Sequence, residues 1–348
     1  MKNYYLNLFA VFTLTILYSF TGCEKDNENS DVTHKYTAGF YYDGSINIPC
    51  FWIDTIRHDL AGDGIHDACA NSLEASGGTV YSVGYYNDGS KYIPCYWTDT
   101  TRQDLAGDGI HYAFALSITV SEGTVYTAGF YNNGSKSIPC YWTGTTRQDL
   151  AGDGINPAYA SSIKVLSGTV YTAGFYHNGS RYIPCYWTGT IRHDLAGDGI
   201  HNACAYSISL SGSMIYIAGY YNDGSKDNAC YWAGTTRYDL AGDGIHAAYA
   251  SSIKVLNGTV YTAGYYNDGL KAIACYWINA TRYDLIGDGI HPAYASTIEI
   301  LGGKIYTTGL YSDGSKFIPC YWTGTTRNDL AGDGIHDAYS LDGLWYLW

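Results

Sequence analysis

The chain has 348 residues, with 38 Tyr and 42 Gly against 2 Met and 15% charged residues. Tyr suits the pleated, half-buried surface of a sheet and Gly supplies turns, so an all-β chain is expected and a helical one excluded. The formal net charge of −13 repels phosphate backbones and argues against nucleic-acid binding and against electrostatic docking on anionic membranes.

Taken in chain order, the first residues have the pattern of an export signal. Lys2 is followed by an apolar stretch from Leu6 to Phe20 and then by Thr21-Gly22-Cys23. The stretch is short for a transmembrane helix, and a small residue and a Cys end it. The junction resembles the lipobox of bacterial lipoproteins, with Phe20 where that family usually carries Leu. The resemblance implies residues 1–22 as signal peptide and Cys23 as the lipidated N-terminus. Residues 23–35 then read as a flexible acidic tether. Its run Glu24-Lys25-Asp26-Asn27-Glu28 resembles the acidic stretch of surface-displayed lipoproteins of the Bacteroidota. That implies anchoring in the outer membrane with display at the cell surface.

Residues 36–348 are a repeat. Trp52, Trp97, Trp142, Trp187, Trp232, Trp277 and Trp322 recur every 45 residues. Each follows a Cys two places earlier, from Cys50 to Cys320, and precedes an Arg-x-Asp, from Arg57 and Asp59 to Arg327 and Asp329. The fourth copy shows four strand-like pieces: a, Ala160 to Val165; b, Val170 to Tyr176; c, Tyr182 to Thr188; d, Thr190 to Leu195. Gly-containing turns separate them, as at Ser167-Gly168 and His177-Asn178-Gly179. Four short antiparallel strands in a period of this length predict a propeller blade, and seven copies predict a seven-bladed β-propeller. The first copy begins at Tyr36 with strand b, and the chain ends with one piece to spare from Ala338. That piece is expected to complete the first blade and close the ring.

Four recurrent groups invite a chemical reading. The strand-c Cys are expected to be free and buried, since symmetry-related positions in separate blades lie beyond disulfide reach. Arg and Asp two apart on a strand share a face and predict a structural ion pair. The loop Asp59-Leu60-Ala61-Gly62-Asp63-Gly64-Ile65 partly resembles the calcium loops of integrin-type propellers. Ala61 stands where that pattern needs an oxygen ligand, so a tight Asx-type turn is expected and no metal. The His after each loop, with Asn156 in its place once, is expected to hydrogen-bond within the loop.

Alternating strand direction puts the b–c turn and the d–a connection of each blade at one end. Candidate ligand-binding residues there are Asp63, His66, Asn87, Asp88, Asp108, His111, Asp198, His201, Asn222, Asp223, Asp243, His246, Asn267, Asp268, Asp288, His291, Asp333 and His336. Loops on a rigid scaffold commonly carry binding. Near-identical blades would offer equivalent sites, and avidity would multiply a weak affinity. The plan resembles lectin propellers built from close repeats, which implies a multivalent module for surface glycan or protein ligands. A scaffolding protein without a small-molecule ligand is the alternative. A carbohydrate-active enzyme is the weaker alternative and is not expected, because no nucleophile and base stand together; no cofactor is expected either.

Overall fold

A computed structural model describes residues 34–341. The expected signal peptide, Cys23 and most of the expected tether lie outside the described residues, as do Leu344, Trp345 and the rest of the C-terminal aromatic run. What is described is a ring of seven four-stranded antiparallel sheets, a seven-bladed β-propeller.

The fourth blade runs Ala158–Leu166 (strand a, innermost), Thr169–His177 (b), Tyr182–Thr188 (c) and Ile191–Asp194 (d, outermost). Strand a starts two residues earlier than the repeat alone suggests, and d is shorter. The c–d turn at Gly189, with φ of +57°, begins strand d one residue later. The first blade takes its inner strand from the far end of the chain. Ala338–Ser340 pairs antiparallel with Tyr36–Tyr42, in the register Gly39 to Ser340, Phe40 to Tyr339 and Tyr41 to Ala338.

In each of the other six blades strand a carries a β-bulge. In the fourth, Ala160 faces Gly174 and Ser162 faces Ala173, so Ser161 is the extra residue. Gly174 is required beside it: a Cβ there would lie 2.0 Å from the Tyr159 carbonyl oxygen.

The core consists of separate clusters between blades. Each repeat Trp is fully buried. Its indole nitrogen donates to a carbonyl of the preceding blade's d–a connection, as from Trp142 to Ala106 and from Trp187 to Ala151, both at 2.9 Å. One residue thereby fills the space between two sheets and fixes their spacing, because burying the indole without a partner would be costly. The strand-c Cys beside it is a small buried thiol. All nine Cys among the described residues are free and buried. Burial pushes the Cys69 and Cys204 thiols up to about 12, so they are inert at neutral pH.

The Arg–Asp pair is structural and includes a third partner. In the third blade Arg147 Nε donates to Asp149 at 2.9 Å, its guanidinium lies 3.8 Å from the Tyr131 ring centre, and the Tyr131 hydroxyl donates to the same Asp at 2.9 Å. The same trio recurs in all seven blades, from Tyr41, Arg57 and Asp59 to Tyr311, Arg327 and Asp329. Arg102 reaches further, donating to the Gly62 carbonyl of the neighbouring blade at 2.8 Å.

Candidate functional site

The loop face gathers the b–c turns and d–a connections, and its chemistry repeats around the ring. Asp63 Oδ1 accepts the backbone amides of Ile65 and His66, while Oδ2 lies 2.6 Å from His66 Nδ1. Asp108 with His111, Asp198 with His201, Asp243 with His246, Asp288 with His291 and Asp333 with His336 repeat this clamp at 2.5–2.6 Å. In the remaining copy Asn156 donates its amide to Asp153 at 2.7 Å, so hydrogen bonding alone serves the position. The His66 hydrogen bond first, then the Ile65 amide, hold the Asp63 carboxyl at about 2. The His201 amide does most for Asp198, also at about 2.

The His ring is the link between the two loops of a blade. A Cβ on Gly89, in the b–c turn, would lie 3.0 Å from His66 Cε1. Asn87 accepts the Gly89 amide at 2.7 Å, and Asp88 accepts the amides of Ser90 and Lys91 at 2.8 Å. Asn222 and Asp223 repeat this arrangement, and Asp268 accepts the amides of Leu270 and Lys271. For Asn267 the bond seen is from its backbone amide to the Ala247 carbonyl. The structure therefore brings the candidate residues together blade by blade, with the carboxylate oxygens turned into their own turns. Asp59 and Asp63 of the calcium-like loop hold different partners, one Arg57 and Tyr41, the other its own turn. Among the described residues no group of three or more His, Cys, Asp or Glu could hold a metal ion.

What the clamp presents outward is isoleucine. Ile65, Ile110, Ile155, Ile200, Ile245, Ile290 and Ile335 stand at the apex of the d–a connections, 70–81% exposed. The Lys of the b–c turn spans to the next blade's connection: Lys226 Nζ donates to the Gly244 carbonyl at 2.6 Å, and Lys91 and Lys136 do the same to Gly109 and Gly154. Sequence reasoning passed over the isoleucines, although each follows the same Asp-Gly; the polar residues drew attention instead.

A second feature lies at the axis. An aromatic belt runs round the inner strands from Phe40 through Tyr339, Phe317 and Tyr294, on past Tyr249 and Phe175 to Tyr85, with ring centres 4.7–6.5 Å apart. Between the belt and the a–b turns lies a central cavity of about 730 Å³, lined by the second halves of the inner strands and by His34 and Lys35. Its depth is marked by the bulge residues Leu116, Ser161, Tyr206 and Ser251, of which only the two Ser are alike.

No protein-family model and no curated protein matches the sequence. Solved propellers are similar in fold. The chain aligns with a Trypanosoma rangeli sialidase in complex with sialic acid at TM-score 0.45 and 10% identity, over 78% of this chain and 55% of that one. It thus spans about half the length of that sialidase. A fucose lectin from Kordia zhangzhouensis in complex with methyl-fucoside gives TM-score 0.27 and 16% identity, over 36% of this chain and 98% of the lectin. The Aleuria aurantia lectin in complex with Fucα1-6GlcNAc gives 0.40 and 11%, over 80% and 97%. At these identities the likeness concerns the fold alone.

Proposed function

We propose that the chain is a lipid-anchored surface protein whose loop face is a multivalent binding module for a glycan or protein bearing closely repeated sites. The observation that carries this is the ring of seven exposed isoleucines, each held at a loop apex by the same Asp–His or Asp–Asn clamp. A lone exposed apolar residue needs no explanation, but a repeated set on rigid supports does. Fixed loops lose little freedom on contact, so each weak apolar contact adds to its neighbours. The reading is of a binder, not an enzyme. No reacting group is drawn out of the turns, whose carboxylates are occupied by their own amides.

Anchoring at Cys23 fits the same picture. The tether joins the propeller at His34, which lines the cavity at the a–b end. Cys23→Ser should remove fatty-acid labelling and release the protein from the membrane fraction; retained label contradicts the anchor. For the binding role, the protein should be applied to glycan and protein arrays printed at high and low density. Retention that rises steeply with printing density supports the reading. Retention proportional to density, or none, refutes it.

A further inference from the structure

The central cavity has the size of a small-molecule site, and its walls carry charges that differ from blade to blade. At the mouth, Lys164 Nζ stands 4.0 Å from Glu74 Oε2, reaching from the fourth blade to the second past the uncharged Thr119 of the third. Glu74 is held in place by its other oxygen, which accepts the Val120 amide at 3.2 Å. On the sixth and seventh blades, across the seven-fold ring, Lys254 and Glu299 form a closed pair at 2.8 Å. Deeper in, Ser251 lines the cavity with 1% exposure, and its hydroxyl has no hydrogen-bond partner.

These groups select by charge. The pair Lys254–Glu299 satisfies itself, whereas Lys164 and Glu74 stand beyond hydrogen-bond length and each keeps capacity for another partner. An anion entering between them meets Glu74, and a cation meets Lys164. A neutral sugar gains from neither charge and leaves the loose Lys164–Glu74 pair as it stands. Only a ligand with an amine and a carboxylate close together answers both walls at once. Its remainder would lie towards Tyr206 and the unpaired Ser251 hydroxyl, which suits a peptide carbonyl or a polar side chain.

We propose that the cavity binds a small zwitterion, an α-amino acid or a dipeptide with both ends free, its carboxylate on Lys164 and its ammonium on Glu74. The site is independent of the loop face and lies at the opposite end of the ring.

Calorimetric titration of the full chain with Ala-Ala and Gly-Ala, each also as the N-acetylated and the C-amidated form, tests this. The free peptides should bind, and blocking either end should weaken binding by about tenfold or more. Lys164→Met should abolish the penalty for amidation while keeping that for acetylation, and Glu74→Gln should do the reverse. Ser251→Ala should weaken all forms alike. Ile245→Ser, on the loop face, should change none of them, so failure here is distinct from failure of the loop-face reading. Absence of binding by the free peptides, equal binding of free and blocked forms, or penalties that persist in both variants would overturn the proposal.

Discussion

The two ends of this propeller are built from the same seven repeats and differ in kind. At the loop end the Asp-Gly-Ile apex is the same in every copy, and the clamp beneath it varies once, at Asn156. At the a–b end, equivalent positions carry Glu74, Thr119, Lys164, Ser209, Lys254 and Glu299. Uniformity at one end suits many equal contacts with a repetitive partner. Diversity at the other converges unlike groups on one axis, as a single asymmetric site requires. One backbone serves both because the buried Trp between neighbouring sheets and the Arg–Tyr–Asp trio within each sheet recur in every copy.

The sharpest way to break this division is to open the ring. Deleting residues from Ala338 onwards removes the inner strand of the first blade and with it Tyr339, stacked 4.8 Å from Phe40 and 5.5 Å from Phe317. The fully buried Ser340 goes as well. A loss of several kcal/mol is expected, with dimers or larger species as the exposed edge pairs with other molecules. Melting curves and light scattering check it. A truncated chain that stays monomeric and melts as the full chain would show that the axis does not need this strand.

Less drastic is the loss of one clamp. Asp108→Ala should cost about 1 kcal/mol, by freeing the amides of Ile110 and His111. Low pH should act on the clamps together. Folded Asp63 and Asp198 sit at about 2, below an unfolded carboxyl near 4. Their contribution is therefore complete above about pH 4 and is lost as the pH falls towards 2. Isoleucine amide signals in NMR should hold their folded positions to about pH 4 and shift below it. Shifts that begin well above pH 4 would mean that the Asp carboxylates are not what hold the loops.

The smallest effect is a gain. Ser82, Thr127, Thr172, Thr262 and Thr307 bury hydroxyls without a partner, and the fifth blade has the fully buried Ile217 in the same place. Replacing the Thr residues by Val should stabilise by about 0.5–1 kcal/mol each. Denaturant midpoints should rise additively, since the sites lie in separate blades. Destabilisation would show that the hydroxyls have partners after all.

Much of this was legible in the sequence. The 45-residue period, the Trp ladder and the Gly turns specify four strands per copy, because spacing and turn chemistry are local properties. The pairing of His66 with Asp63 was readable as a loop hydrogen bond for the same reason. The cavity was not, because a bulge at Ser161 breaks the two-residue alternation of strand a. A strict period-2 reading then puts Lys164 and Ser251 on the wrong faces. Tyr131 under Arg147 was hidden too, since it depends on the register of strand b against d through c. The isoleucines were visible after each Asp-Gly but were passed over, because exposure is not written in sequence.

The central claim is that the seven loop apices act together, and its direct test is a count. Ile→Ser substitutions at one, three, five and all seven apices, Ile65 to Ile335, should leave stability within about 0.5 kcal/mol, as exposed sites do. Dissociation from the densest array surface that retains the unmodified protein should then be timed for each variant. The account predicts a dissociation rate that climbs steeply with each further loop altered, whichever loops are chosen, and does not respond to Lys164→Met. A rate governed by one particular loop, or unchanged with all seven altered, would contradict it.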